Sequence, residues 1–295
     1  MSFSIAVTTG SADGIGPQVT QKALQLIPSH IAVTVYATTP APATTPKNIQ
    51  WKSVRGTAET AAALKALLQA CDAIKKGHHQ ALVTGPMHKE NFKSFSLGSA
   101  SPRKLLGHTE VLSQVFGKPT CMTFMNWNFR VAIVTGHIPM RDISRALSAD
   151  LIVEKGKIFG EFLRQHTGKR LPRIGLCGLN PHASTDIFDK SEEEQVVIPA
   201  LKQLQDCQFE IVGPVSADSA FYRYQKEKWD GLISLYHDQS LAFLKGAYLP
   251  QTVNVTLGLP FFRTSVDHGT GVGMAADQAD YTNMLRALEW AILLT

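Results

Sequence analysis

Short apolar runs of strand length alternate along the chain with segments of helical period. Strands are predicted at residues 4–8, 33–37, 81–84, 131–135, 174–179, 210–213 and 231–236. Helices are predicted at 17–27, where Pro17 occupies the first turn, at 58–76, which ends at Gly77, and at 149–165, 191–206 and 281–294. The helix at 191 opens with Ser191-Glu192-Glu193-Glu194, which fits a capping box with Ser191 at the N-cap and Glu194 at the third helical position. The Pro- and Thr-rich stretch 39–47 reads as loop. Strand–helix alternation with crossovers of this length predicts parallel sheets with helices on both faces. No repeat, low-complexity tract or linker separates parts of the chain, so two interwoven domains are expected rather than two in series.

Composition narrows this picture. At 295 residues the chain fits one large or two ordinary domains, and it can bury roughly three quarters of its unfolded surface without disulfides or a structural metal. Hydrophobic residues make up 44%, which argues against disorder, and charged residues only 18%, which fits a compact body with a large subunit interface. No apolar run is long enough for a transmembrane helix, and the start MSFSIAVTTG does not read as a signal peptide. Cys71, Cys121, Cys177 and Cys207 are widely spaced without a CxxC, which suits reduced thiols and a cytoplasmic location. The formal charge of +5 allows a nucleic acid, an acidic membrane, a small anion or only a solvated basic surface. The basic residues are dispersed, with their densest cluster at Lys75-Lys76-Gly77-His78-His79, and no basic run carries interleaved aromatics. A small anionic ligand is therefore preferred, with no nucleic acid and no membrane as partner.

The histidines carry candidate chemistry. His137, His182 and His237 each follow a predicted strand within a few residues. In open α/β sheets ligands bind outside the carboxyl ends of strands. Three imidazoles delivered there could converge on a catalytic metal with open positions. The intervals are long, however, and no local metal motif supports the set, so a satisfied loop histidine at each position remains an alternative.

Several blocks together resemble one family. They are Val83-Thr84-Gly85-Pro86 with His88-Lys89, Leu106-Gly107-His108-Thr109-Glu110, Gly178-Leu179-Asn180-Pro181-His182-Ala183, Leu235-Tyr236-His237-Asp238-Gln239, Leu244-Lys245, and the run VNVTLGLPFFRTSVDHGT over 253–270. In this order they resemble the 4-hydroxythreonine-4-phosphate dehydrogenase family of pyridoxal phosphate biosynthesis. The resemblance implies an α/β chain of two interwoven α/β/α domains of the isocitrate/isopropylmalate dehydrogenase type. It implies residues 1–105 with 268–295 as the first domain and 106–267 as the second, which would hold the metal and substrate residues. It also implies a cleft active site completed by the partner chain of a homodimer. The implied reaction is NAD- or NADP-linked oxidation of 4-phosphooxy-L-threonine at C3, followed by loss of carbon dioxide from the 3-keto acid.

The resemblance further implies a divalent metal (Zn, alternatively Mg, Co or Mn) on His137, His182 and His237. Substrate contacts carry over to His108, Thr109, Lys245, Asn254 and Arg263. Lys is a point charge for phosphate, Arg a planar fork for carboxylate or phosphate, and Asn a neutral group that fixes orientation. Asp218 and His108 are candidate proton acceptors, with a helix N-cap as the alternative for Asp218.

The chain also departs from the family. Its fingerprint G-[DE]-P-A-G-I-G-P-[ED] becomes Gly10-Ser11-Ala12-Asp13-Gly14-Ile15-Gly16-Pro17-Gln18, with Ser11 and Gln18 at the acidic positions. Ser184-Thr185-Asp186 replaces a glycine- and acid-rich segment, and 271–277 differs as well, both near the expected cofactor site. No G-x-G-x-x-G follows a strand, and no cofactor-binding residue is assigned. Alternatives are a paralogous dehydrogenase for threonate or erythronate phosphate or for a cis-dihydrodiol carboxylate, and a non-redox metal- and phosphate-binding module.

Overall fold

The computed structural model describes residues 3–56, 59–93, 107–183, 190–274 and 278–295. The expected domain boundary at 105/106, the segment 184–186 and residues 275–277 lie outside the described residues. The chain divides into two compact units, Met1–Lys118 with Pro250–Thr295, and Pro119–Leu249.

The first unit contains β1 (Ser4–Thr8), α1 (Gly16–Leu24), β2 (Ala32–Ala37), β3 (Ile49–Ser53), α2 (Glu59–Lys75), β4 (Ala81–Thr84), α3 (Glu90–Lys93) and α4 (His108–Phe116). The second contains β5 (Cys121–Met125), β6 (Arg130–Thr135), α5 (Ile143–Ala146), α6 (Ala149–Thr167), β7 (Arg173–Cys177), α7 (Ile198–Asp206), β8 (Glu210–Val215), α8 (Ala217–Lys226), β9 (Gly231–Tyr236) and α9 (His237–Tyr248). The chain then returns to the first unit with β10 (Val253–Leu257), β11 (Phe262–Ser265) and α10 (Thr282–Leu294). The interweaving is thus present, but the changeovers fall at 118/119 and 249/250. The second lies earlier than residue 267 because β10 and β11 pair with each other and β11 pairs with β4 of the first unit.

In the first unit the strand order is β3-β2-β1-β4-β11-β10. Every pair is parallel except β10 with β11. Ala6 and Leu82 share a face by register, and α2 and α4 cover it with Ala63, Leu67, Cys71, Val111 and Leu112. On the opposite face Thr264 Oγ1 donates to the Ala287 carbonyl of α10 at 2.7 Å. In the second unit the order is β5-β6-β9-β7-β8, and only β5 with β6 is antiparallel. Val131, Ile133 and Leu232 pack under α8 and α9 with Phe129, Phe221 and Tyr224. On the other face a Cβ at Gly231 would meet Phe159 and Leu163 of α6. Both units therefore carry helices on both faces of a mainly parallel sheet, as the alternation predicts.

Two predicted elements differ locally. The strand expected over 174–179 ends at Cys177, and the helix expected over 191–206 begins with a π turn, Glu193–Val197, before α7. Half of its capping box forms as expected, and only the reciprocal bond is displaced by one residue. Ser191 Oγ accepts from the Glu194 N–H at 3.3 Å, while Glu194 Oε2 accepts from the N–H of Lys190 at 3.1 Å.

Candidate functional site

In the first unit, strand register places a row of polar side chains on one buried sheet face. Arg263 on β11 lies opposite Leu82 of β4 and Thr256 of β10. Alternation along the strands adds Thr84, Ser265 and Asn254 to the same face, and the Thr8–Thr84 pairing adds Thr8. Arg263 is only 3% exposed. Its Nε and Nη2 donate to Thr84 Oγ1 at 3.1 and 2.6 Å, and its Nη1 donates to Thr256 Oγ1 at 3.0 Å. Thr84 and Thr256 are fully buried. Burial pulls the Arg263 pKa down to about 10, with Glu110 opposing the shift, so the guanidinium stays charged at neutral pH.

His108 opens α4 and meets the Phe92 ring edge-on at 5.0 Å between centroids. Burial, and then the nearby Arg263 cation, hold its imidazole well below the usual histidine range, so it is neutral. Thr109 follows it and is buried. Among the described residues, His108 Nε2, Asn254 Oδ1 and Thr8 Oγ1 are buried without a hydrogen-bond partner. Buried polar atoms are rarely left unpaired, and here three accompany a cation that, among the described residues, is held by hydroxyls. This is the chemistry of a receptor for a polar, anionic group. His108, Thr109, Asn254 and Arg263 thus belong to the first unit rather than the second. Only Lys245, half-buried in the last turn of α9, shares a unit with the three histidines.

In the second unit, His137 lies just beyond β6 and His237 opens α9 directly after β9. Their rings stand 4.8 Å apart between centroids, as neighbouring ends of the parallel pair β6 and β9 require. His237 Nδ1 pairs with Asp238 Oδ1 at 2.7 Å. A carboxylate behind one ring nitrogen is the usual backing for a metal-binding histidine, because it orients the ring and leaves Nε2 outward. His182 is exposed in the turn Pro181–Ala183 with a left-handed φ of 60°. It does not complete the set. Among the described residues no group of three or more His, Cys, Asp or Glu is placed to hold a metal ion. The imidazoles of His137 and His237, with Asp238 behind one of them, fit the donor chemistry of a divalent metal.

The turn bearing His182 is built around Glu193, a fully buried carboxylate. Its Oε1 accepts from the N–H groups of Leu179 and Asn180 at 2.7 and 2.8 Å, and its Oε2 from Asn180 Nδ2 at 2.8 Å. Burial alone would raise the Glu193 pKa, but these bonds hold it below the ordinary carboxylate value. Gln239 ties the ends of the adjacent strands β7 and β9 together, donating to the Gly178 carbonyl and accepting from Leu235 N–H, each at 2.7 Å.

Asp218 is exposed in the first turn of α8 and accepts from Ser216 Oγ at 2.7 Å. Ser216, not Asp218, is the N-cap residue. That hydroxyl bond, with a smaller contribution from His182, keeps the Asp218 pKa below the carboxylate norm. Such a carboxylate is ionised but weakly basic. The glycine turn before α1 is not a phosphate cradle. A Cβ on Gly10 would strike the Pro86 carbonyl, and one on Gly16 the Thr9 carbonyl. These glycines let backbones pack closely. Ser11 is buried in the same turn, its Oγ accepting from His88 N–H at 3.2 Å, while Asp13 pairs with His88 Nε2 at 2.9 Å.

Sequence reasoning did not single out Thr8, Thr84, Thr256, Glu193 or Gln239 as site residues. The threonines carried only a faint signal, a single hydroxyl at or near the carboxyl end of each otherwise mostly apolar strand. Glu193 carried none beyond its place in the capping box.

Two α/β units of this kind form a fold of the isocitrate dehydrogenase-like class. Isocitrate dehydrogenase from Methylococcus capsulatus, 13% identical, shares this fold over 99% of the chain and 85% of its own, with TM-score 0.51. Within that class the chain belongs to the family described as pyridoxal phosphate biosynthetic protein PdxA, whose pattern matches residues 13–291. 4-hydroxythreonine-4-phosphate dehydrogenase of Xanthomonas campestris pv. campestris (strain B100) is 33% identical over 96% of each chain. The enzyme of the same name from Xanthomonas oryzae pv. oryzae (strain PXO99A) is 37% identical, covering 78% of this chain and 70% of its own. The crystal structure of the Klebsiella pneumoniae enzyme of that name, 27% identical, superposes with TM-score 0.81 over 99% of both chains.

Proposed function

We propose that this chain oxidises the C3 hydroxyl of 4-phosphooxy-L-threonine with NAD or NADP, giving a 3-keto acid that decarboxylates to 3-amino-2-oxopropyl phosphate in pyridoxal phosphate biosynthesis. The observation that carries the reading is Arg263, a buried cation whose side-chain hydrogen bonds among the described residues go to two threonine hydroxyls. A charge desolvated at this cost is held for an anion. In this reading Arg263 and Lys245 bind the anionic groups of the substrate. Asn254 Oδ1 accepts from its amino or hydroxyl donors, and His108 with Thr109 orients the reacting carbon. His108, whose Nε2 has no partner among the described residues, is one candidate acceptor for the departing hydroxyl proton, and the burial that keeps it neutral also makes it weakly basic. Asp218 is the alternative. A nicotinamide, when bound, would supply the hydride acceptor.

We further infer a divalent metal requirement, with His137 and His237 as residues that would hold the ion. Chelation followed by return of Zn²⁺ or Mg²⁺ tests it: activity lost and then restored supports it, and undiminished activity in metal-free protein removes it. Cytoplasmic location and a homodimer complete the reading. Among the described residues no helix is long and apolar enough to cross a membrane. The function itself is tested by offering the purified chain 4-phosphooxy-L-threonine, threonate and erythronate phosphates and a cis-dihydrodiol carboxylate with each nicotinamide cofactor. Preferred turnover of the first is expected; turnover of another alone overturns the assignment, and cofactor reduction with none of them returns the chain to the non-redox alternative.

A further inference from the structure

We propose that Thr84 and Thr256 are positioning residues that fix the Arg263 guanidinium as a two-donor receptor for one oxyanion group of the substrate. The inference rests on the reading of Arg263 as a substrate-binding cation. A guanidinium carries five N–H donors in a rigid fork. Thr84 Oγ1 takes the Nε donor and one on Nη2, and Thr256 Oγ1 takes one on Nη1. Among the described residues nothing takes the other two donors, one on each terminal nitrogen. That pair has the spacing that a carboxylate or phosphate engages with two oxygens.

Both hydroxyls arrive from strands flanking β11, Thr84 from β4 and Thr256 from β10. The guanidinium is thereby gripped from both sides within a hydrogen-bonded sheet, which allows it little freedom to turn. The choice of hydroxyls also matters electrostatically. Among the described residues no carboxylate lies within ion-pair distance of Arg263, and Glu110 acts on it only from further away. A carboxylate in place of either threonine would neutralise the charge that the substrate must meet. A hydroxyl satisfies the donors and leaves the positive charge uncompensated.

The test uses Thr84→Val, which keeps the side-chain shape and removes the acceptor, Thr84→Ser, which keeps the acceptor, and Thr256→Val. Inorganic phosphate serves as the probe, by calorimetry and as an inhibitor competing with the substrate, and acetate is run in parallel to separate phosphate from carboxylate recognition. With two donors released, Thr84→Val is expected to weaken anion binding and raise KM by about tenfold or more, with kcat changed less than about threefold. Thr84→Ser restores most of the loss, and Thr256→Val, which releases one donor, has the smaller effect. A merely structural role would lower Tm in Thr84→Val and leave KM and anion affinity in place. That outcome in folded protein overturns the proposal, and if Thr84→Val does not fold, unchanged values in Thr256→Val overturn it. Wild-type protein that binds neither phosphate nor acetate overturns it as well. Absence of turnover with 4-phosphooxy-L-threonine while phosphate binding still depends on Thr84 would instead sink the assigned reaction alone.

Discussion

Arg263 shows what burial does to a charged side chain. Its desolvation is only partly offset by neutral hydroxyls, so the site gains when an anion enters. Arg263→Lys keeps the charge and loses the fork, and a point charge cannot satisfy both threonines and a two-oxygen ligand. KM for 4-phosphooxy-L-threonine is expected to rise at least about tenfold, equivalent to about 1.4 kcal/mol of binding. An unchanged KM would mean that Arg263 is structural. His79 makes the complementary case of a neutral buried group. Its Nδ1 meets Ser4 Oγ at 2.9 Å and its Nε2 meets Tyr36 OH at 3.1 Å. Burial, then Lys52 and His78, lower its pKa from 6.5 to about 4. The unfolded chain therefore binds a proton that the folded chain refuses between those values. The stability His79 contributes is complete above pH 6.5 and is lost as pH falls through about 4. Urea midpoints of wild type and His79→Gln at about pH 7 and about pH 4.5 check this: wild type should lose the larger share of its stability on acidification. Equal losses would show that the imidazole is not held neutral by the fold.

At the scale of elements, the strand ends are shaped by side chains that reach back to the backbone. Glu193 fills the concavity made by the N–H groups of Leu179 and Asn180, and it sits in a π turn that interrupts the helix leading into α7. Glu193→Ala leaves those donors unpaired in the interior and is expected to cost about 3 kcal/mol, read from urea denaturation. A cost below about 1 kcal/mol would mean that water replaces the carboxylate freely. This turn also marks where sequence patterning stops being informative. β1, β4 and β9 follow directly from their apolar runs and end where predicted. The 174–179 run was apolar enough to extend a strand, but Glu193, fourteen positions downstream of Leu179, captures its last residues as a turn. β10 and β11 are five and four residues long and carry Asn254, Thr256, Arg263, Thr264 and Ser265 among their apolar residues, so local pattern alone does not separate them from loop. The site residues were legible as motif blocks. The Arg263–Thr84 contact spans 179 positions and is visible only once the sheet is formed.

The whole molecule is a chain of two interleaved units, and its candidate residues fall on both. The buried polar row belongs to the unit of the two termini, while Lys245 and the three histidines belong to the middle of the chain. The formal +5 charge therefore says less about function than the position of one desolvated guanidinium. At 32.2 kDa per chain, the proposed homodimer should run at about 64 kDa in light scattering, and a monomer mass would remove it. Whether this chain oxidises a phosphorylated hydroxy amino acid, as proposed, is read from the rate of NAD(P)H formation with 4-phosphooxy-L-threonine as sole substrate, for wild type and Arg263→Lys side by side. Saturable cofactor reduction by wild type is expected, with KM raised in the variant and kcat nearly kept. No cofactor reduction by metal-supplemented wild type would overturn the proposed reaction, whereas identical KM values in both proteins would remove only the role of Arg263.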